Sequence, residues 1–96
     1  MSNRHKKAII DDVKSVNIAP NLQNNLLDLF EYAMKSVAQT LVTEAKFDIN
    51  NFASAEKKGC VGFNLALRRV QISSGTQWLG SFQRGDQRLD VIGHLE

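Results

Sequence analysis

Six cations in the second half of this sequence are the side chains whose chemistry stands out: Lys57, Lys58, Arg68, Arg69, Arg84 and Arg88. Ammonium and guanidinium groups neutralise phosphates, which supplies most of the sequence-independent affinity for nucleic acid and makes that affinity depend strongly on salt. The first four flank a stretch of alternating apolar residues, so paired strands would gather them on one basic face. We therefore predict a phosphate-binding surface. The alternative interpretation is a charged, solvated sheet edge.

Little in the sequence points to catalysis or to a metal site. His5 lies in a basic tail and His94 lies near the chain end, without the spacing of zinc ligands. Cys60 is the only cysteine, so no internal disulfide can form, and we expect a small hydrophobe there. No Ser/His/Asp order and no glycine-rich phosphate loop is present. We predict no enzyme, no metal and no cofactor.

The length and composition favour a single small domain that forms a homodimer. A chain of 96 residues buries only about two-thirds of its unfolded surface, so a shared core would help it. The formal net charge is +2, from 12 basic and 10 acidic residues, which alone is weak support for nucleic-acid binding. No signal peptide and no apolar run of about 20 residues is seen, which predicts a cytoplasmic protein with no membrane partner.

Two helices are predicted in the first half. Apolar residues from Ile9 to Val16 recur at helical spacing and predict a short helix that ends at Asn17. Pro20 then suits the first turn of a second helix, over residues 21–44. Its apolar stripe consists of Leu22, Leu26, Leu29, Phe30, Ala33, Met34, Val37 and Leu41. The stripe is wider than the first helix can cover, which leaves room for a second chain.

Residues 47–72 predict two long strands joined by a mobile connection that projects from the helical base. The alternating apolar positions are Phe47, Ile49, Val61, Phe63, Leu65 and Leu67. Asn50-Asn51 predicts a turn or a bulge. A helix through this segment is the alternative, but it would hold Gly59 and Gly62 in its interior at about 1 kcal/mol each. Trp78, on a possible continuation of the sheet, is expected to be a core or interface anchor.

The last segment, 81–96, predicts a turn followed by a short helix. Leu89, Val91 and Ile92 would face the core, and Gly93 would stop the helix. The predicted fold class is α+β, with an N-terminal helical hairpin and a three-stranded antiparallel sheet extended into a β-arm. The plan of the chain is a basic tail at 1–7, the hairpin at 8–45, the sheet and arm at 46–80, and the C-terminal helix at 81–96.

This order of elements resembles the HU/integration host factor family of bacterial histone-like DNA-binding proteins. AIIDDVKSVNI and IAPNLQNNLLDLFEYAMKSVAQTL are similar to the family's first two helices. SFQRG, at 81–85, is similar to the entry of its last helix, and Phe52 keeps the last aromatic of its central turn. The resemblance implies an intertwined dimer in the nucleoid whose arms embrace double-stranded DNA along the minor groove and bend or condense it.

The resemblance also implies roles for particular residues. The six cations would contact DNA. Phe63 or Leu65 would be the apolar wedge at the arm tip, where the family usually has a proline. The dimer interface would be formed by Leu26, Phe30, Met34, Val37, Leu41, Phe47 and Phe52.

The same residues also allow a second function. The absent proline, the apolar arm and the modest charge favour a protein-interaction module that does not bind DNA. Such a module would be an accessory protein of the phage or plasmid type, or an antagonist of a host regulator. Its partner would be another protein.

Overall fold

The computed structural model describes residues 7–96, which form a five-stranded antiparallel sheet with one α-helix packed on one face. The elements are β1 (Ala8–Val16), α1 (Pro20–Val37), β2 (Glu44–Asp48), a 3-10 turn (Ile49–Asn51), β3 (Asn64–Ile72), β4 (Gly75–Arg84) and β5 (Gln87–Leu95). The strands lie in the order β1-β5-β4-β3-β2, so β1 and β2 are the two edges. The predicted fold of a helical hairpin, a three-stranded sheet and a C-terminal helix is therefore wrong. The basic tail lies, apart from Lys7, outside the described residues.

The predicted first helix is in fact strand β1, and a bulge explains the error. The register against β5 shifts between Ile10 and Asp12, which leaves Asp11 as an extra residue. Because of that extra residue, Ile10 and Val13 lie opposite Gly93 and Val91 and share the inward face although they are three apart. The bulge thus imitates the spacing of a helix face.

Helix α1 begins at Pro20, as predicted, but it ends at Val37, seven residues before the predicted end. Three donors reach the carbonyl of Val37 there, and one of them is the backbone N–H of Thr40 at 3.0 Å. The hydroxyl of Thr40 donates to the carbonyl of Val37 at 2.9 Å, and the guanidinium of Arg69 donates to the same carbonyl at 2.7 Å. These donors satisfy a carbonyl that the helix leaves open at its end, so the chain can turn toward β2.

The predicted C-terminal helix is strand β5, which forms a hairpin with β4. Gly85 has a φ of +58° and starts the two-residue turn between the strands. Leu89 and Val91 alternate on the inward face, whereas Ile92 lies on the outward face beside Leu79. Gly93 is therefore a strand residue and not a helix stop.

The core lies between α1 and the inward face of the sheet. The helix contributes Leu26, Leu29, Phe30, Ala33 and Met34, all nearly inaccessible to solvent. The ring of Phe30 lies over two glycines: an added Cβ at Gly80 would be 2.5 Å from it and one at Gly93 would be 3.0 Å from it. Trp78 is 4 % exposed, which confirms that it is a core residue.

The predicted projecting arm does not exist, although its two strands do pair. Strands β2 and β3 are antiparallel, from Glu44 opposite Arg68 to Asp48 opposite Asn64. The connection between them folds back on the core and buries four of its own side chains: Ile49, Ala55, Cys60 and Phe63. The predicted turn at residues 50–51 is confirmed as part of the 3-10 turn.

Candidate functional site

Arg69, predicted to contact DNA, points inward and closes the end of α1. Its Nη2 donates to the carbonyl of Val37 at 2.7 Å and its Nη1 donates to that of Thr40 at 2.9 Å. The guanidinium lies 4.6 Å from the centroid of the Trp78 ring. A cation at a helix C-terminus also interacts favourably with the helix dipole. This side chain therefore has a structural role in the chain itself.

Arg84 holds the β2–β3 connection in the same manner. Its Nη1 donates to the carbonyls of Val61 at 2.7 Å and Gly59 at 3.3 Å, and its Nε donates to the Gln87 side chain at 2.8 Å. The guanidinium carbon lies 4.2 Å from the centroid of the Phe63 ring. These contacts hold the Arg84 side chain against its own chain.

Two more of the six cations form ion pairs. Lys58 lies 3.2 Å from Asp28 on α1, and Arg88 lies 3.1 Å from Asp90 on the outer face of the sheet. Within residues 7–96, Lys57 and Arg68 are the members of the six that make no side-chain hydrogen bond or ion pair. They lie on different elements, and Arg68 stands directly opposite Glu44. The described residues therefore do not form the predicted basic face.

The fold also places the predicted wedge and dimer-interface residues elsewhere than expected. Phe63 and Leu65, the predicted wedge, are 0 % and 1 % exposed, so neither can reach a base step. Leu26, Phe30 and Met34, predicted at a dimer interface, are each 0 % exposed inside one chain. Val37 packs partly buried against the same core. Phe47 and Phe52 are likewise partly buried against this core, beside the open β2 edge, whereas Leu41 is exposed.

Titratable groups outside this set do not assemble a reaction centre in the described part of the chain. His94 Nδ1 lies 2.7 Å from Asp11 Oδ2 beside a groove of about 410 Å³, and both side chains are more than a third exposed. No nucleophile hydrogen-bonds to the other ring nitrogen among these residues. Burial raises the pKa of the Cys60 thiol, against the opposing charges of Arg84 and Lys58, which makes it a poor nucleophile. Residues 7–96 also hold no cluster of three metal-ligating side chains.

Exposed apolar side chains gather instead along the β2 side of the molecule. Tyr32 is 59 % exposed on α1, and its ring meets Phe52 edge-on at 5.1 Å. Phe52 in turn meets Phe47 at 5.6 Å. We call Tyr32, Phe47 and Phe52 the aromatic patch. Leu41, three residues before the start of β2, is 95 % exposed.

A small pocket adjoins the aromatic patch. Its volume is about 210 Å³, and it is lined by Leu29, Tyr32, Phe52 and Ala53, with Asp28 and Lys58 at its rim. A cavity of about 150 Å³ with apolar walls is large enough for a benzene ring. The pocket can therefore accept one apolar side chain of a partner, while the rim offers both signs of charge.

The backbone of β2 completes this surface because its outer side is unpaired. The N–H of Arg69 donates to the Thr43 carbonyl at 2.8 Å, and that of Ile49 donates to the Phe63 carbonyl at 3.4 Å. In an antiparallel ladder this alternation assigns the peptide groups of residues 43, 45 and 47 to β3. Those of Glu44, Lys46 and Asp48 consequently face outward. The alternation in EAKFD was the sequence signal for this strand, but the prediction began the strand only at Phe47.

No family model, curated protein or solved structure matches this chain. Within residues 7–96, no helix combines the length and apolar character needed to cross a bilayer. The functional assignment consequently rests on the geometry of the surface itself.

Proposed function

We propose that this protein is a protein-interaction module that docks through its β2 side and does not act on DNA. The observation that carries the proposal is a coincidence of three features on one side of the molecule: the aromatic patch, the exposed Leu41 and the unpaired edge of β2. Aromatic side chains supply much of the energy of protein interfaces, because each buries a large area with few rotatable bonds. An unpaired strand edge adds directional backbone donors and acceptors.

The arrangement of the cations supports the same conclusion. Arg69 and Arg84 bind backbone carbonyls of the chain, and Lys58 and Arg88 are paired with carboxylates. Contacts to phosphate from Lys57 and Arg68 alone correspond to a salt slope of about −2, which is about a tenfold loss of affinity between 50 and 200 mM salt. Proteins that hold DNA through many phosphates lose roughly a thousandfold or more over that range.

The outer face of the sheet gives no basic surface either. Arg68 has Glu44 as its cross-strand neighbour, and Lys14 has Asp90. Opposite charges at adjacent positions attract one another and weaken the field that a phosphate backbone would encounter. Within residues 7–96 this face carries no Phe, Tyr or Trp side chain, and the His94 ring on it is paired with Asp11.

Site-specific photocross-linking tests the proposal. A photoreactive phenylalanine analogue replaces Tyr32 in one version of the protein and Val16 in another; Val16 is 48 % exposed on the opposite edge of the sheet. Both versions are expressed and illuminated in cells that carry the native protein. We expect a discrete protein adduct from position 32 and none from position 16.

The adduct must also depend on the apolar surface. A Leu41→Ser substitution should reduce cross-linking from position 32 severalfold, and a purified partner should bind the wild-type protein saturably. A DNA mobility shift over a salt series is measured in parallel. The proposal fails if positions 16 and 32 give the same adducts, or if DNA is retained with a steep salt slope that Lys57→Ala and Arg68→Ala together flatten.

A further inference from the structure

We propose that the partner at the β2 edge is a second copy of this chain. Two β2 strands pair antiparallel about a two-fold axis at Ala45, which joins two five-stranded sheets into one. This inference rests on the proposed function, since it names the occupant of the same surface. It follows from the direction of the backbone groups, the alternation of charge along β2 and the length of the strand.

The backbone groups allow only a small set of symmetric registers. In a symmetric antiparallel pair, the two-fold axis relates each residue to its partner in the other strand. The axis therefore lies midway between one residue of β2 and the same residue of the second copy, and that residue defines the register. The outward peptide groups belong to Glu44, Lys46 and Asp48. An axis at any residue of the strand can pair these groups, so the side chains decide among the registers.

Charge divides these registers into two classes. An axis at Lys46 opposes Lys46 to itself and Glu44 to Asp48, so every charged pair is repulsive. An axis at Glu44 or at Asp48 likewise opposes a carboxylate to itself. An axis at Ala45 opposes Glu44 to the second copy's Lys46, and symmetry gives that ion pair twice. Cross-strand pairs of opposite charge stabilise a sheet and like pairs destabilise it.

The length of β2 and its flanks separate the two registers that charge allows. Each register pairs three residues of the strand, 44–46 about Ala45 or 46–48 about Phe47. An axis at Phe47 would also pair Lys46 with Asp48, but it sets the 3-10 turn at residues 49 and 50 opposite residues 45 and 44. The axis at Ala45 instead sets Phe47 opposite Thr43, whose carbonyl still accepts the N–H of Arg69, and the small side chain of Ala45 fits the close approach of a non-hydrogen-bonded pair.

The same arrangement covers the exposed apolar side chains. A two-fold axis perpendicular to the sheet leaves both helices on one face, with the aromatic patches facing each other across the seam. Continuing the register places Leu41 opposite residue 49 of the second copy, next to the turn that leads to Phe52. The exposed Leu41 thereby lies at the seam, where the second copy can shield it from solvent.

The opposite edge of the sheet lacks these properties. Strand β1 carries the bulge at Asp11, which interrupts its ladder, and two acidic residues follow one another there. Bulges and charges are the devices by which sheet edges avoid pairing. Strand β2 has no shift of register along its length, and its charges alternate so that one symmetric register makes them complementary. Self-association is therefore assigned to β2 alone.

Disulfide trapping tests the register directly. Ala45→Cys and Lys46→Cys are made separately in a Cys60→Ala background and exposed to a mild oxidant. In a non-hydrogen-bonded antiparallel pair the Cα atoms are about 4.5 Å apart, which a disulfide can span. We expect Ala45→Cys to be trapped as a covalent dimer. Lys46→Cys should give no covalent dimer, since the two positions 46 are then separated by more than about 7 Å.

A charge exchange tests the complementarity in the native dimer. Sedimentation equilibrium over a concentration series is measured for the wild type, for Glu44→Lys, for Lys46→Glu and for the double exchange. Each single change turns both symmetric pairs repulsive and should weaken the dimer about tenfold or more. The double exchange restores opposite charges and should recover the wild-type affinity. Lys14→Glu, an exposed cation on β1, is the matched control and should change nothing.

The outcomes distinguish the two proposals. A dimer that the double exchange rescues supports the inference. A dimer that ignores both single changes, or that is trapped at position 46 and not at 45, overturns it. A monomer at every concentration that still cross-links from Tyr32 to a different protein overturns the self-pairing and leaves the proposed function standing. A monomer without any specific adduct refutes both.

Discussion

Replacing Arg69 tests whether a predicted DNA-contacting residue is instead a structural element of the fold. In Arg69→Ala the carbonyls of Val37 and Thr40 lose their guanidinium donors, and the Trp78 ring loses the cation above it. The end of α1 and the start of the connection to β2 are then held by fewer bonds. We expect the whole domain to lose stability, because α1 supplies one side of the core.

The size of the loss follows from these contacts. Hydrogen bonds to a charged group contribute about 1.5–3 kcal/mol each, and the cation–aromatic contact about 0.5–1 kcal/mol. For two hydrogen bonds and one ring contact, the lower ends of these ranges add up to about 3.5 kcal/mol, and two facts bring the expected loss below that sum. The Nε atom is buried with no partner among the described residues, and the Thr40 contact is exposed, so water can replace the lost donor. We expect Arg69→Ala to reduce the free energy of unfolding by about 2–3 kcal/mol, out of the roughly 5–15 kcal/mol typical of a domain.

Arg68 provides a matched control because it is the adjacent residue and has the same side chain. It lies on the opposite face of β3, where its side chain is exposed. Arg68→Ala should change the free energy of unfolding by less than about 0.5 kcal/mol. Arg69→Lys keeps the charge but loses the planar fork that reaches two carbonyls, so its stability should fall between that of the wild type and that of Arg69→Ala.

Urea unfolding at one fixed protein concentration measures these differences. Trp78 is the single tryptophan and lies under the guanidinium, so its fluorescence reports unfolding directly. With a slope of about 1.5 kcal/mol per molar urea, the midpoint of Arg69→Ala should fall by roughly 1–2 M. Equal midpoints for Arg68→Ala and Arg69→Ala would refute the structural role, as would an Arg69→Lys protein as stable as the wild type.

Two further predictions concern the core. In Gly80→Ala the new Cβ would lie 2.5 Å from the Phe30 ring, so we expect a loss of about 2–3 kcal/mol in the free energy of unfolding; adding Phe30→Leu should recover part of it, whereas additive losses in the double variant would contradict the proposed contact. Burial raises the pKa of Cys60, so the thiol form is favoured in the folded state, and the free energy of unfolding should be unaffected at neutral pH and fall as the pH rises into the range where an exposed thiol ionises. Urea titrations across this pH range should show the decrease in the free energy of unfolding with pH in the wild type and a smaller decrease in Cys60→Ala. An equal dependence on pH in both proteins would contradict the prediction.

Local patterns allowed the helix start and the β2–β3 pairing to be predicted. The proline at position 20 and the stripe that follows it are properties of consecutive residues, and the core does use Leu26, Phe30 and Met34 from that stripe. The end of the helix could not be predicted in the same way. It depends on Arg69, which approaches from a strand 32 residues further along the chain.

The predictions of a helix at β1 and at β5 were wrong for different reasons. In β1 the bulge gave inward residues a spacing of three, and the signal that favoured a strand was the run of β-branched residues at 9, 10, 13 and 16. In β5 the signals were explicit: a Gly-Asp turn and the alternation of Leu89 and Val91. The prediction placed Ile92 with the core as well, and that choice imposed a helical period on a strand.

The six cations do not form the predicted basic face in residues 7–96, for a reason that a count of cations does not reveal. Arg69 and Arg84 use the same device: each guanidinium binds two backbone carbonyls and lies over an aromatic ring. Alternation along β3 already required Arg68 and Arg69 to face opposite ways, but only the position of the helix end decides which one is inward. An arginine that donates to the carbonyls of a helix end or a loop keeps its charge, but those donors are occupied and do not bind a phosphate. Basic residues therefore become support for nucleic-acid binding only after those that bind the chain's own backbone or its carboxylates are set aside, and in residues 7–96 that step leaves two of the six.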